Sequence, residues 1–232
     1  MPHPRAIGVA SELAFDGAYL LALWLLVISL LQRLGRLTAV VRHCADSYVV
    51  AFLLLAVGDS AHVGLRLLGL THGGLWNGWL GYGALATAIT VTLFDLLLVD
   101  GHQRLKCQRW GLLPALLLGL ALLRLVLIAL PQNHWAAVVP SQPWVLLRNL
   151  LLVALTVGVG ALYLGASGVH QRWQHAIGAL LLVSALCHLP VALWIQEEPL
   201  LGLLMIPKSL CYLAAGFIVY RRLPSMAPIS SR

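Results

Sequence analysis

Charge is what this sequence has least of. Its 232 residues include eight Asp and Glu and fifteen Lys and Arg, while 60% are hydrophobic. That balance, with a mean hydropathy of +0.89, excludes a soluble globular domain, where about a quarter of residues carry charge. Cysteine is equally sparse, with Cys44, Cys107, Cys187 and Cys211 as the only four. Two fall in connections expected to face a reducing compartment and two within apolar runs, so no disulfide scaffold is expected. No stretch of Gly, Ser or Pro is long enough to act as a linker. The bases are scattered rather than gathered in one patch, which argues against a nucleic-acid partner despite a net charge of +7.

What is present is apolar length. Seven runs, at 11–31, 48–70, 79–99, 111–130, 143–164, 175–195 and 200–220, each approach the roughly 20 residues needed to cross a hydrocarbon core of about 30 Å. The expected fold is all-α: one domain over 1–232, a multi-pass bundle of seven transmembrane helices in a cell membrane, surrounded by lipid. The first run is read as a spanning helix rather than a cleaved signal, because Glu12 and Asp16 precede it and no small-residue cleavage site follows.

Orientation follows from the bases. Alternate connections carry Arg33, Arg36 and Arg42; Arg104, Lys106 and Arg109; Arg172; and Arg221, Arg222 and Arg232. The other connections have neither Lys nor Arg, and only Arg5 precedes the first run. The positive-inside rule therefore puts the amino terminus out and the carboxyl terminus in. Aromatic residues suit those boundaries, with Trp76, Trp79, Tyr82, Trp135, Trp144 and Trp194 expected at the outer interface and Trp110, Trp173, Tyr163 and Tyr220 at the inner one.

Four bases fall inside the spans: Arg66, Arg124, Arg148 and Lys208. A charge at membrane depth costs about 2.5–3.5 kcal/mol on insertion scales, so such groups face the bundle interior and mark sites. In VGDSAHVGLR (57–66), Asp59, His62 and Arg66 share one helical face, with Asp59 and Arg66 about 10 Å apart along the axis and His62 placed to bridge them. Arg124, Arg148 with Asn149, His188, Lys208 and Asp16 all fall in the outer half on the expected topology. Counting Asp16 and Asp59 against the four bases leaves an excess of positive charge. That excess predicts an outward-facing polar pocket in which Arg66, Arg124, Arg148, Asn149 and Lys208 bind an anion, such as a lipid headgroup or small metabolite. Asp95 is expected near the inner end of the third run, in a local polar contact with Thr92 and Asp100.

Three blocks, GDSAHVGLR, PQNHW followed by PWVLLRN, and MIPKSLCY, together resemble an uncharacterised group of bacterial seven-helix integral membrane proteins. The resemblance spans most of the chain and implies the seven-helix fold, with no activity attached. A more distant similarity is to the alkaline ceramidase and adiponectin-receptor superfamily, which binds zinc and hydrolyses lipid amides inside the membrane. It implies an alternative in which Asp59, His62 and His188 form a metal-dependent lipid hydrolase site. The superfamily's histidines four apart in the last helix are missing, with Leu204, Lys208 and Tyr212 at that spacing. Lysoplasmalogenases share only a Gly-Asp pair, matched by Gly58 and Asp59. No cofactor is expected outside the zinc of that alternative. A third reading is a transporter or proton-coupled carrier with a hydroxyl route of Thr87, Thr90 and Thr92 between Asp59 and Asp95.

Overall fold

The computed structural model describes residues 4–71, 77–107, 110–137, 141–168, 170–195 and 197–226, with backbone alone at 4–13, 69–71, 77, 78 and 199. Trp76, Arg109 and Arg232 lie outside the described residues, as do the side chains of Arg5 and Glu12. Seven α-helices account for most of the chain: α1 Pro4–Leu34, α2 Ala39–Thr71, α3 Asn77–Lys106, α4 Leu112–Ala129, α5 Gln142–Leu164, α6 Gln171–Trp194 and α7 Met205–Arg222. All seven contain a stretch long and apolar enough to cross a membrane. No strand occurs among the described residues. The protein is a multi-pass seven-helix membrane protein.

Each helix packs on the next, and α7 returns to α1, so the bundle closes into a ring. The α2–α3 interface is the most extensive, and α3 also touches α5, which makes it the most enclosed helix. Buried positions recur at helical spacing. In α1 they are Tyr19, Leu23, Val27 and Leu30, and in α4 they are Leu117, Ala121, Arg124 and Ile128. The opposite face of α4 shows Leu116, Leu122, Leu123 and Val126 outward, as a lipid-facing surface requires. Apolar side chains both fill the core and cover the outside, and a smaller set of polar groups is buried among the helices.

Small residues set the closest approach. A Cβ on Gly58 would fall inside the Thr90 side chain, and one on Gly81 would fall on the Trp135 carbonyl. Gly58 therefore lets α2 lie directly against α3, where the Thr87 hydroxyl donates to the Gly58 carbonyl (2.9 Å).

Several helices differ from the expected runs. The second begins at Ala39 rather than 48, so Arg42 and Cys44 are helical. Arg42 turns back to donate to the Leu34 and Gly35 carbonyls at the end of α1, using its charge as a helix C-terminal cap. The third helix runs to Lys106 rather than 99, because Asp100 and Arg104 pair one turn apart (2.7 Å) and Asp100 accepts from Ser47 of α2 (2.5 Å). The last run is not one α-helix. Pro199–Leu204 is a 3₁₀ segment, and the α-helix starts at Met205 so that Pro207 occupies the first turn, where a missing N–H costs nothing. Tyr163 and Trp173, expected at an interface, are buried in the core instead.

Candidate functional site

The intramembrane polar residues form three groups rather than one pocket. At the edge of the bundle, Arg66 of α2 pairs with Asp16 of α1 (3.4 Å), with side chains 40% and 22% exposed. His62 is exposed and makes no hydrogen bond, so it bridges neither Asp59 nor Arg66. One turn of helix carries its ring past the Asp59 carboxylate, which is held from α1.

In the second group, Arg124 is almost wholly buried and ties three helices together. Its Nε donates to the Arg148 carbonyl of α5 (2.9 Å), and its Nη1 donates to the Ala88 carbonyl of α3 (2.6 Å) and to the Thr92 hydroxyl. Arg148 donates to Asn133 Oδ1 (3.0 Å), and its guanidinium lies 4.0 Å over the Trp135 ring. Asn133 in turn donates to the Leu127 and Leu130 carbonyls, and Trp135 donates to that of Ile128. The PQNHW and PWVLLRN blocks therefore meet as a cap on the end of α4. They satisfy carbonyls that have no partner within the helix, at a depth where water is scarce. Both guanidinium groups are engaged within the protein, and Asn149 makes no hydrogen bond among the described residues.

The third group lies inside the ring. Tyr19 of α1 donates to Asp59 Oδ2 (2.7 Å), and the Trp24 indole donates to Ser60 (2.9 Å). Lys208 of α7 donates to His188 Nδ1 of α6 (3.4 Å), which leaves the hydrogen on His188 Nε2, buried and without a partner. Asp95 of α3 is fully buried. Its Oδ2 accepts from Thr156 of α5 (2.8 Å), and its Oδ1 has no partner. Lys208 is within electrostatic range of both Asp59 and Asp95, and Asp95 also attracts Arg124.

Asp95 therefore corrects the charge count. With α3 seven residues longer than expected, Asp95 sits well inside the helix. Its hydrogen-bond partner is Thr156, with Arg124 and Lys208 within electrostatic range, rather than Thr92 and Asp100. Thr92 instead donates to Ala88 and accepts from Arg124, while Asp100 binds Ser47 and Arg104. Two cations, Lys208 and Arg124, face two carboxylates, Asp59 and Asp95. Arg66 has Asp16, and Arg148 has Asn133 and Trp135. Counting Asp95 with Asp16 and Asp59 against the four bases reduces the positive excess to one, and Arg148 is engaged by the neutral Asn133 and Trp135.

Below Asp95, toward the end of the bundle where α3 finishes, a second set of polar groups continues the interior. The Tyr163 hydroxyl donates to the Leu98 carbonyl (2.8 Å) and lies 3.1 Å from the Tyr48 hydroxyl. The His102 ring packs against Tyr163 with centroids 5.1 Å apart. His102 Nδ1, Gln103 Oε1 and both amide atoms of Gln174 are buried without partners. His102, Gln103 and Lys106 also line a cavity of about 280 Å³ open at that end. Sequence reasoning missed this set because its spans stop at 99 and begin again at 175, placing His102 and Gln174 in connections.

No group of three His, Cys, Asp or Glu side chains able to hold a metal occurs among the described residues. Asp59, His62 and His188 in particular do not come together. Asp59 is engaged by Tyr19, His188 by Lys208, and His62 is exposed.

Fold and interior together define the class: a seven-helix membrane protein with a cluster of ionisable side chains enclosed by its helices. No family model, curated protein or solved structure matches the chain.

Proposed function

We propose that this protein is a proton-translocating transporter of the cell membrane, with its amino terminus outside, in which Lys208 shares protons with Asp59 and Asp95. The observation that carries this reading is Asp95, fully buried with Oδ1 unpartnered among the described residues and with Lys208 of another helix within electrostatic range. An ionised carboxylate with a free oxygen at membrane depth is costly, and such residues serve proton and ion pathways.

Lys208 lies within electrostatic range of both carboxylates, and Arg124 within range of Asp95. Protonation of either carboxylate would leave Lys208 to the other, and because Asp59, Asp95 and Lys208 stand on α2, α3 and α7, a proton's position biases how those helices pack. Tyr19 and Asp59 offer a hydrogen-bonded approach from one side. Thr156, Tyr163, Tyr48, His102 and Gln174 supply polar groups toward the other, where buried waters would complete the unpartnered atoms. The anion-pocket reading has less support, since Arg66, Arg124 and Arg148 are all engaged within the protein. The zinc hydrolase reading lacks a ligand set.

The test uses purified protein in vesicles loaded with a pH-sensitive dye, with a potassium diffusion potential set by valinomycin. The expected result is a change in internal pH faster than in protein-free vesicles, abolished by Asp95→Asn and by Lys208→Met. A rate equal to that of empty vesicles, or one unchanged in Asp95→Asn, would overturn the proposal.

A further inference from the structure

At the end of the bundle where α2 begins and α3 finishes lies a cavity of about 570 Å³, the larger of the two described there. Its wall includes His43, Cys44, Asp100, Gln103, Cys107 and Trp110. The two cysteines are far apart in sequence, yet both thiols donate to one acceptor. Cys44 Sγ lies 3.7 Å and Cys107 Sγ 3.8 Å from the carbonyl oxygen of Arg104. The sulfurs therefore cannot be further apart than those two distances laid end to end.

The frame around them is fixed. Arg104 pairs with Asp100 (2.7 Å) and donates to the His43 carbonyl (3.2 Å), and Asp100 accepts from Ser47. These contacts hold the start of α2 against the end of α3 on both sides of the thiols. The thiols differ in access. Cys107 is exposed in the turn after α3, with a left-handed backbone (φ 48°), whereas Cys44 is buried in α2 and lines the cavity.

We propose that Cys44 and Cys107 are a redox site, a dithiol that a low-molecular-weight disulfide oxidises to an intramolecular disulfide joining α2 to α3. The order of events follows from exposure. Cys107, as thiolate, attacks one sulfur of the small disulfide, forms a mixed disulfide and releases one small thiolate. Cys44 then gives up its proton, attacks the Cys107 sulfur through the cavity and releases the second small thiol. Two protein thiols are oxidised, and one small disulfide is reduced to two thiols. Closing the bond draws Cys107, the exposed turn residue, from the shared carbonyl toward Cys44 in its helix. Cys187 and Cys211, on α6 and α7, also lie within electrostatic range of each other but share no acceptor and line no described cavity, and they serve as the comparison pair.

The experiment treats the full-length protein in lipid vesicles with oxidised glutathione, blocks remaining thiols with N-ethylmaleimide and maps peptides by mass spectrometry. The expected products are a Cys44–Cys107 cross-linked peptide, with Cys187 and Cys211 alkylated, and full recovery of four alkylated thiols after dithiothreitol. Cys44→Ser should instead accumulate glutathione on Cys107, because the resolving thiol is gone, and Cys107→Ser should leave Cys44 reduced. A wild-type protein that keeps glutathione on Cys107 without cross-linking, fails to react, or pairs other cysteines would overturn the proposal. None of these readouts depends on proton translocation.

Discussion

Arg124 shows how far a single intramembrane residue departs from its generic expectation. An arginine in the outer half of a span normally snorkels to headgroups or awaits a ligand. Here it is spent on the Ala88 and Arg148 carbonyls and the Thr92 hydroxyl, so it acts as a clamp across α3, α4 and α5. Intramembrane hydrogen bonds average about 0.6 kcal/mol each, and three bonds together give an expected loss of about 2 kcal/mol for Arg124→Met. Reversible unfolding in mixed detergent micelles would read that loss, and a variant as stable as wild type would reduce the clamp to a bystander. Arg124 and Lys208 were legible in the sequence as buried charges, because their surroundings are uniformly apolar. Tyr19 and Thr156, which hold the carboxylates, were not. A neutral hydroxyl in a spanning helix is common enough to carry no signal until the group it faces is known.

At the scale of the helices, the α2–α3 contact decides where the site lies. Gly58 allows that contact, and the adjoining Asp59 is thereby presented between α1 and α7. We expect Gly58→Val to force the helices apart and lower the unfolding temperature sharply, since its Cβ would overlap Thr90. Gly64 is the matched control: a Cβ there meets nothing within 4 Å, so Gly64→Ala should be neutral or stabilise by up to about 1 kcal/mol through helix propensity. Thermal unfolding of the two variants side by side distinguishes packing from propensity. Helix existence was legible everywhere, whereas helix ends were not. Charges such as Asp100 and Arg104 look like a boundary, yet when paired with each other they let α3 continue to Lys106. That extension moved Asp95 from an expected interface into the interior.

For the whole molecule, the ring of seven helices with apolar surface outward agrees with the composition. Orientation rests on the bases alone, and it predicts that green fluorescent protein fused after Arg232 fluoresces in intact cells while alkaline phosphatase at the same point stays inactive. The reverse pair of results would invert the topology and with it the side from which Asp59 is reached. The ring also explains why the polar groups separate into three sets. Arg66 and Asp16 sit on the rim, Arg124 and Arg148 brace the α3–α5 sector, and Lys208 lies within electrostatic range of both interior carboxylates.

By itself the sequence determined that seven helices cross a membrane, because hydrocarbon thickness and backbone hydrogen bonding leave no other solution for runs of that length. It also identified Arg124, Arg148 and Lys208 as buried bases, while Asp95, expected near an interface, is fully buried and the Arg66 side chain is partly exposed. Which charge faces which was decided only by the tertiary structure, since helical periodicity gives a residue's angle about its own axis but not the neighbour across the interface. That difference turned VGDSAHVGLR from one wall of an anion pocket into three separate roles: Gly58 as a close contact, Asp59 as part of the interior cluster and Arg66 as the rim partner of Asp16.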